Sequence, residues 1–442
     1  MIEILMTFRL PLLAGCLLSV SSLAFAQGPT YSRDVAPIFQ AKCAICHREG
    51  DVAPFVLDNF DKAVAWSDDI KRTIDNGAMP PWKPVADYGQ FRDSYALTPD
   101  EKYTILNWIA SGMEQGNPDD LPAAPEATGA WRLGDPDIVL QPPAAYTPPR
   151  GKDIYRCFVL PETGLDQTAY LRAIDVLPGN RQIVHHVLVY VDTTGTAVKL
   201  DGADGDPGYT CFGGPGIPVD YTNIFGALDA LSGIGGWAPG QRTHFLPDGI
   251  GIQVAAKGRL VMQVHYYPIG RTGPDQTSLG LYLANSEIKK RLYQIPIVNM
   301  NFQLPPGTVK DVVGWFPGPT TPLPLGAKAI SIYPHMHLLG RKIKVDLISL
   351  SGKETPMIYE NDWNFNWQGA YTYTEPMTIP IGSRARITCT FDNTQDNPKN
   401  PNNPLVTVGW GERTTDEMCL AFAGVTLDFD PFTILKQIRP VQ

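Results

Sequence analysis

The chain has 442 residues, of which 43% are hydrophobic and 18% are charged, and its formal net charge is -9. This composition indicates a globular protein, and the length predicts about three domains. The negative charge argues against a nucleic-acid partner and against binding to anionic membrane surfaces. The 41 glycines and 41 prolines predict many turns, as expected of short strands.

The N-terminus has the features of a secretory signal peptide. Arg9 precedes an apolar run from Leu10 to Phe25, and Ala24-Phe25-Ala26 is a typical cleavage site. We therefore expect residues 1–26 to be removed and the protein to be periplasmic or secreted. A lipobox-like stretch ending at Cys16 leaves a lipid anchor as the alternative, although its apolar region is short. No later stretch is apolar enough to span a bilayer.

The most informative motif is Cys43-Ala44-Ile45-Cys46-His47, which has the pattern CxxCH. Two thiols at this spacing add to the vinyl groups of a c-type haem, and the next histidine binds the iron. A redox CxxC that happens to precede a histidine is the alternative interpretation. The flanking sequence fits a small cytochrome and favours haem c.

Residues 27–116 are predicted to form an all-α domain around this motif. A helix from Val35 to Lys42 leads into the haem site. Thr98-Pro99-Asp100-Glu101 is a capping box with proline at the first helical position, and it predicts a helix that ends near Gly112. The pattern resembles class I cytochrome c.

Met79 is the candidate sixth ligand of the haem iron, in a Met-Pro-Pro-Trp segment. A thioether ligand stabilises ferrous iron and raises the potential, so a His/Met pair implies electron transfer. A methionine that only packs in the core is the alternative.

A change in composition follows the cytochrome region. Residues 117–130 have no periodicity and are predicted to be a linker. Beyond them the pattern is that of strands, with alternation in 182–192, 258–267, 343–347 and 384–391. We expect two all-β antiparallel sandwich domains, residues 131–288 and 289–442, with the junction between Ser286 and Met300.

Four cysteines remain after the signal peptide and the haem motif, namely Cys157, Cys211, Cys389 and Cys419. An even number of cysteines in an exported protein predicts disulfides. Three pairings are possible, and proximity within the predicted domains favours Cys157 with Cys211 and Cys389 with Cys419.

The seven histidines are concentrated in a few motifs. His335 and His337 alternate on a predicted strand, so both imidazoles can face one metal ion. His185 and His186 are adjacent, and adjacent strand residues point to opposite faces. Both can bind one ion only at a strand end or a bulge. Each pair could instead consist of ordinary core or surface histidines.

Four motifs occur in order: His185-His186, then Gln263-Val264-His265-Tyr266, then Pro334-His335-Met336-His337, then Thr415-Asp416-Glu417-Met418-Cys419. Together they resemble the copper type II, ascorbate-dependent monooxygenases, over residues 131–442. The resemblance implies two jelly-roll-like sandwiches that face each other across a solvent-filled cleft, with one copper ion in each.

The resemblance also implies the ligands. The first copper has three histidines, matching His185, His186 and His265. The second has two histidines and a methionine, matching His335, His337 and Met418, where O2 and substrate meet. A soft thioether favours Cu(I) and suits neither zinc nor calcium. The family bonds the cysteine beside the methionine in a disulfide, in agreement with a Cys389–Cys419 bridge.

Three positions depart from the amidating members of the family. They use an arginine, an asparagine and a tyrosine to bind a peptide carboxylate, where this chain has Tyr333, Leu420 and Phe422. A buried carboxylate without a cationic partner is unfavourable, so peptide amidation is not expected. Tyr333 and Phe422 predict a less polar pocket, with core packing as the alternative. Gln263 matches a glutamine of the family, and His244 is expected to be structural.

These patterns predict a copper- and haem c-dependent monooxygenase that hydroxylates a C–H bond of a small organic substrate with O2. Electrons are expected to pass from an external donor to the haem, then to the three-histidine copper and the methionine copper. The alternatives are an electron-transfer protein that inserts no oxygen and a copper oxidase that releases peroxide.

Overall fold

The computed structural model describes residues 28–49, 51, 53–123, 131–151, 153–211, 214–218, 233–256, 258–267 and 272–429. The predicted signal peptide, with its lipobox cysteine, lies outside the described residues. Among the helices of the described ranges, none is long and apolar enough to cross a bilayer.

The N-terminal region is helical. It contains α1 (Ala36–Lys42), α2 (Phe60–Ala65), α3 (Ser67–Asp75) and α4 (Pro99–Ala110), with a π-helical turn at Tyr31–Val35 and a 3-10 turn at Pro118–Asp120. These helices enclose a hydrophobic core of their own. The predicted small helical domain is therefore present.

The capping box at the start of α4 has both of its hydrogen bonds. The backbone N–H of Glu101 donates to Thr98 Oγ1 (3.1 Å), and the backbone N–H of Thr98 donates to Glu101 Oε2 (2.8 Å). The helix buries Ile105 and Trp108 completely. The indole N–H of Trp108 donates to the carbonyl of Glu114 (3.0 Å), which fixes the chain after the helix.

A first β-sandwich follows. Its strands are β1 (Ile138–Leu140), β2 (Ile154–Val159), β3 (Ala169–Leu177), β4 (Val184–Asp192), β5 (Tyr209–Thr210), β6 (Gly235–Trp237), β7 (Ile250–Val254), β8 (Arg259–Tyr266), β9 (Ser278–Leu283) and β10 (Lys290–Arg291), with a short helix α5 (Thr196–Leu200). One sheet has the order β1-β9-β3-β7-β10 and the other β5-β2-β8-β4-β6. Apolar side chains of both sheets form one core.

A second β-sandwich completes the described chain. Its strands are β11 (Tyr293–Asn299), β12 (Gln303–Leu304), β13 (Thr308–Phe316), β14 (Ala327–His335), β15 (Gly340–Ile348), β16 (Glu354–Glu360), β17 (Tyr371–Ile379), β18 (Arg384–Asn393), β19 (Val408–Gly409) and β20 (Cys419–Leu427). The sheets β11-β20-β14-β17 and β13-β18-β15-β16 enclose a second core, and β12 pairs with β19.

The alternation of apolar and polar residues in the sequence corresponds to an alternation of buried and half-buried side chains in the structure. Along β18 every second side chain is buried, from Ala385 to Asn393, and the residues between are half-buried. The neighbouring strand β15 presents Ile343 and Val345 to the same core, opposite Cys389 and Ile387. The fold class predicted from the sequence, a small helical region with antiparallel sandwiches, is confirmed at this level. The jelly-roll topology stays a prediction.

The chain passes from one sandwich to the other at Leu292. The strand β10 pairs with β7 in parallel, and β11 pairs antiparallel with β20. The junction expected between Ser286 and Met300 and the boundaries after residues 116, 130 and 288 stay predictions.

The segment that precedes α4 binds along the second sandwich. Residues 84–92 form backbone hydrogen bonds with β16 and β17, including Val85 N–H to Tyr359 O and Arg92 N–H to Thr372 O, both 2.8 Å. Trp82 packs edge-on against Tyr371, at 5.2 Å between ring centroids. The helical region is thus held against the second sandwich by main-chain pairing.

Both predicted disulfides are confirmed. Cys157 is bonded to Cys211, and Cys389 is bonded to Cys419, 30 residues apart. The second bridge joins β18 to β20, which belong to different sheets, so it fixes the spacing of the two sheets.

Replacing Cys389 and Cys419 together with alanine should lower the free energy of unfolding of the second sandwich by about 3 kcal/mol, since the bridge removes conformational entropy from the unfolded chain. Urea unfolding followed by tryptophan fluorescence measures the change. The exposed pair Val309 and Val313, replaced with alanine, is the control and should change the midpoint little. An unchanged midpoint in the cysteine variant would contradict the assignment of a stabilising bridge.

Candidate metal centre

The adjacent histidines His185 and His186 lie at a β-bulge. The pairing of β4 with β8 shifts register between Val184 and His186, at the start of the strand. This is the irregularity that lets two consecutive side chains turn to one side. His265, near the end of β8, is the register partner of His186. The structure therefore brings the three histidines together as predicted.

Their Nδ1 atoms form a nearly equilateral triangle. The separations are 3.2 Å for His185–His186, 3.2 Å for His185–His265 and 3.3 Å for His186–His265. A point equidistant from the three nitrogens lies about 1.9 Å from each, so an ion slightly above this plane reaches the usual metal–imidazole distance of about 2.0 Å. The three side chains fit a single metal ion.

Burial keeps these imidazoles uncharged. It lowers the pKa of His185 to about 4, and it lowers the pKa of His186 and His265 well below the usual value. A neutral imidazole has a free lone pair, which is the form that binds metals. Three lone pairs that converge without a cation repel one another, so the chemistry of this donor set favours a bound ion.

Asp153 orients one of the three ligands. Its carboxylate accepts a short hydrogen bond from Nε2 of His265, which leaves the Nδ1 lone pair free for metal. The other carboxylate oxygen accepts hydrogen bonds from the backbone N–H (3.1 Å) and the hydroxyl of Thr414, in the second sandwich. One carboxylate therefore links the first histidine cluster to the loop that leads to Met418.

The second cluster consists of His335 and His337. Their Nε2 atoms are 3.2 Å apart, and both side chains are buried. Nδ1 of His335 donates to Gln368 Oε1 (2.6 Å), and Nδ1 of His337 donates to the carbonyl of Asp416 (3.1 Å). These bonds select the tautomer that leaves each Nε2 free. Burial lowers the pKa of His335 to about 3 and that of His337 to about 4.

Met418 immediately precedes β20, close to this pair. His335 in β14 is opposite Leu420 in β20, and continuing the antiparallel register by two residues puts His337 opposite Met418. Met418 is 8% exposed. The buried Glu417 accepts the backbone N–H groups of His337 (2.9 Å), Leu339 (2.5 Å) and Met418 (3.2 Å). It ties the histidine segment to the methionine segment.

The two clusters are adjacent. The ring centroids of His186 and His335 are 6.1 Å apart, and Phe365 stacks on His185 at 4.8 Å. The expectation of a solvent-filled cleft between the clusters is therefore wrong for this structure. The contacts of Asp153 and Phe365 hold the two sandwiches together at this point.

A cavity of about 180 Å³ lies between the sandwiches, and the ring of Tyr333 in its wall is 6.2 Å from that of His335. Tyr333 and Phe422, which are opposite each other in β14 and β20, stack at 6.5 Å and both line it. The hydroxyl of Tyr333 donates to Gln368 Oε1 (3.3 Å), the atom that also accepts from His335. These two residues thus line an aromatic pocket.

The two remaining polar residues singled out in the sequence differ in their surroundings. Gln263 is buried and lies 3.7 Å from the sulfur of Cys211, on the strand face of His265. His244 pairs with Asp93 of the helical region (2.5 Å) and lines the cavity. His244 therefore has a partner in the helical region, although it belongs to neither histidine cluster.

The CxxCH motif follows α1 directly. Cys43 and Cys46 form no disulfide, and Nδ1 of His47 donates to the carbonyl of Phe55 (3.0 Å), so Nε2 remains as the iron ligand. His47 is 8% exposed. These residues fit a covalently attached haem. Met79 follows α3 and is half-buried, and its role as sixth ligand stays a prediction.

Comparison with known proteins identifies two regions. Residues 301–424 match the family model of the copper type II ascorbate-dependent monooxygenase C-terminal domain, and residues 32–109 match that of cytochrome c oxidase, cbb3-type, subunit III. The resemblance predicted from the sequence is thereby confirmed. The two domains imply copper and haem c as cofactors.

A curated relative agrees with this assignment. "DBH-like monooxygenase protein 1" of Gallus gallus is 23% identical over 266 residues, which are 55% of this chain and 39% of the relative. The chain thus matches less than half of that protein's length. The relative and the C-terminal domain together support a copper monooxygenase.

Two solved structures that are similar to this chain have low TM-scores and support no conclusion about its function. The major capsid protein P2 of bacteriophage PM2 is 10% identical and has a TM-score of 0.26, over 66% of this chain and 98% of that one. The VP2 subviral particle of infectious bursal disease virus is 9% identical with a TM-score of 0.16, over 66% and 77%.

Gln368→Leu should weaken copper binding at the His335/His337 pair about 10- to 100-fold, because the acceptor that selects the tautomer of His335 is lost. Competition with a copper chelator measures the affinity. Gln276→Leu, a half-buried glutamine of the first sandwich, is the control. Equal copper affinity in both variants would show that Gln368 does not orient the ligand.

Proposed function

We propose that the protein is a monooxygenase that hydroxylates a C–H bond of a small organic substrate with O2, using two copper ions and one covalently bound haem c. The observation that carries the proposal is the pair of Nε2 atoms of His335 and His337, 3.2 Å apart at the end of β14, where the neighbouring strand β20 begins just after Met418. A ligand set of two imidazoles and a thioether is suited to Cu(I).

In this proposal His185, His186 and His265 hold one copper ion, and His335, His337 and Met418 hold the other. Bound copper would supply redox chemistry with O2, and haem c, which Cys43, Cys46, His47 and Met79 would hold, would supply electron transfer. The chain itself fixes the ligands in their metal-binding tautomers and excludes bulk water. The jelly-roll topology implied by the family is part of the same proposal.

The cavity indicates the class of substrate. Its walls are mostly apolar and include Ile174, Ile234 and Ile332 beside Tyr333 and Phe422. Such walls favour a substrate with an apolar body, because burying apolar surface is what stabilises it there. No arginine stands at position 333, so a peptide carboxylate lacks the partner it has in the amidating enzymes.

The end of the cavity nearest the helical region is polar. Arg242 and His244 line it, and both lie within 4 Å of the Asp93 carboxylate. We assign a polar substituent of the substrate to this end. Tyr333, which also lines the cavity, is two residues and about 6.6 Å along the strand from His335.

The cellular setting follows from the N-terminal sequence. We propose that residues 1–26 direct export to the periplasm or the exterior, where both disulfides are stable. An external donor, either an ascorbate-like reductant or a periplasmic electron carrier, then reduces the haem.

Incubation of the reduced, copper-loaded protein with 18O2 and a panel of amphiphilic metabolites tests the proposal. We expect one product to gain a single oxygen-18 atom. Met418→Leu preserves side-chain volume but removes the thioether, and should abolish that product. Met377→Leu, a partly buried methionine of β17, is the control and should retain it.

Two results would contradict hydroxylation. Peroxide formation without labelled product would indicate an oxidase. Rapid electron transfer to an external acceptor that is insensitive to Met418→Leu would indicate an electron-transfer protein.

A further inference from the structure

The helical region touches both sandwiches at the haem motif. A Cβ atom built on Gly240, in the first sandwich, would lie 3.8 Å from Cys46 Sγ, 3.5 Å from the Tyr95 hydroxyl and 3.9 Å from Trp367 Cζ3. Cys46 Sγ and the Trp367 ring are therefore within about 8 Å of each other. Cys46 is one of the two attachment points of the haem, so the edge of the porphyrin begins at this sulfur.

Trp367 belongs to a loop between β16 and β17 that also reaches the histidine clusters. We call residues 363–368 the bridging loop. The indole N–H of Trp363 donates to the carbonyl of His337 (3.1 Å), and Phe365 stacks on His185. Gln368, 2% exposed, accepts from Nδ1 of His335 at 2.6 Å. The loop therefore contacts ligands of both clusters and, at Trp367, the surroundings of the haem motif.

The loop is held rigidly. The backbone N–H of Trp367 donates to the carbonyl of Asn364 (2.8 Å), and the side-chain amide of Gln368 donates to the carbonyl of Phe365 (3.0 Å). Trp363 and Phe365 are 2% and 3% exposed. A fixed loop keeps the contacts at its two ends at constant distance.

Trp367 is connected to both clusters. Gln368 is the next residue in the chain, and a short hydrogen bond joins its side chain to His335. Phe365, two residues before Trp367, stacks on His185, and its backbone forms a hydrogen bond with that histidine. Each path therefore consists of covalent bonds and one hydrogen bond.

We propose that Trp367 and the bridging loop are the electron entry of the metal centre, so that the electron from the haem reaches copper through this loop. This rests on the proposed function. In the step, ferrous haem c loses one electron and becomes ferric, and one cupric ion gains it and becomes cuprous. No bond is formed or broken, and no proton is transferred.

The inference is tested with the copper-loaded holoprotein under anaerobic conditions, without substrate. A photosensitiser injects one electron into the ferric haem, and the decay of the ferrous absorbance band reports electron transfer to Cu(II). Trp367→Leu should slow the decay about tenfold or more, which is about 1.4 kcal/mol in activation free energy. Trp367→Phe should restore part of the rate, because it returns an aromatic ring.

Trp315→Leu is the matched control, since Trp315 is a half-buried tryptophan of β13, in the sheet opposite to the one that holds His335. It should leave the decay unchanged. Metal analysis verifies that every variant carries its haem and copper. A decay insensitive to Trp367→Leu would overturn the proposal.

The outcomes separate this inference from the proposed function. A wild-type protein without copper would contradict both. Rapid haem oxidation that depends on Trp367 but yields no oxygen-18 product would leave the electron entry intact and contradict hydroxylation.

Discussion

Five imidazoles meet at the junction of the two sandwiches. Repulsion between their nitrogen lone pairs is the constraint on which the rest of the centre depends. Four of them are buried, and burial keeps all five neutral. In a medium of low dielectric, nitrogen lone pairs that face one another at 3.2 Å are stabilised by a cation. The side chains that surround them, Asp153, Gln368 and Glu417, each fix the direction of a ligand or of its backbone.

The same side chains determine how the domains are joined. The Asp153 carboxylate binds His265 with one oxygen and Thr414 with the other, so orientation of a ligand in one sandwich depends on a loop of the other. The helical region adds a third body, paired along β16 and β17 and close to Trp367. The two disulfides, one in each sandwich, stabilise the two β domains that meet here.

Much of this could be predicted from local sequence, since local rules govern those parts. Alternation predicted β18, the capping box predicted α4, and the geometry of adjacent side chains predicted an irregularity at His185-His186, where the bulge lies. The order of four short motifs then identified the copper monooxygenase resemblance. Each of these signals is a short stretch of neighbouring residues.

The residues that sequence analysis missed contact partners that are far away in the sequence. Asp153 is 112 residues from His265 and 261 from Thr414, and Gln368 is 33 residues from His335. No spacing rule connects such pairs. The sequence did point to Glu417, because it lies next to Met418 in the Thr-Asp-Glu-Met-Cys motif. The three backbone N–H groups that donate to its carboxylate, however, come together only in the folded loop. The proximity of the two clusters was missed for the same reason, since it arises from packing between domains.

The central claim is that both histidine clusters bind copper within one compact centre, and magnetic resonance tests it most directly. The electron paramagnetic resonance spectrum of the copper region is recorded with both copper ions cupric and with the haem ferric in every sample. It is compared with the summed spectra of the His186→Ala and His335→Ala variants, each carrying one copper ion. With the rings of His186 and His335 6.1 Å apart, we predict dipolar broadening beyond that sum. A spectrum equal to the sum would contradict the account.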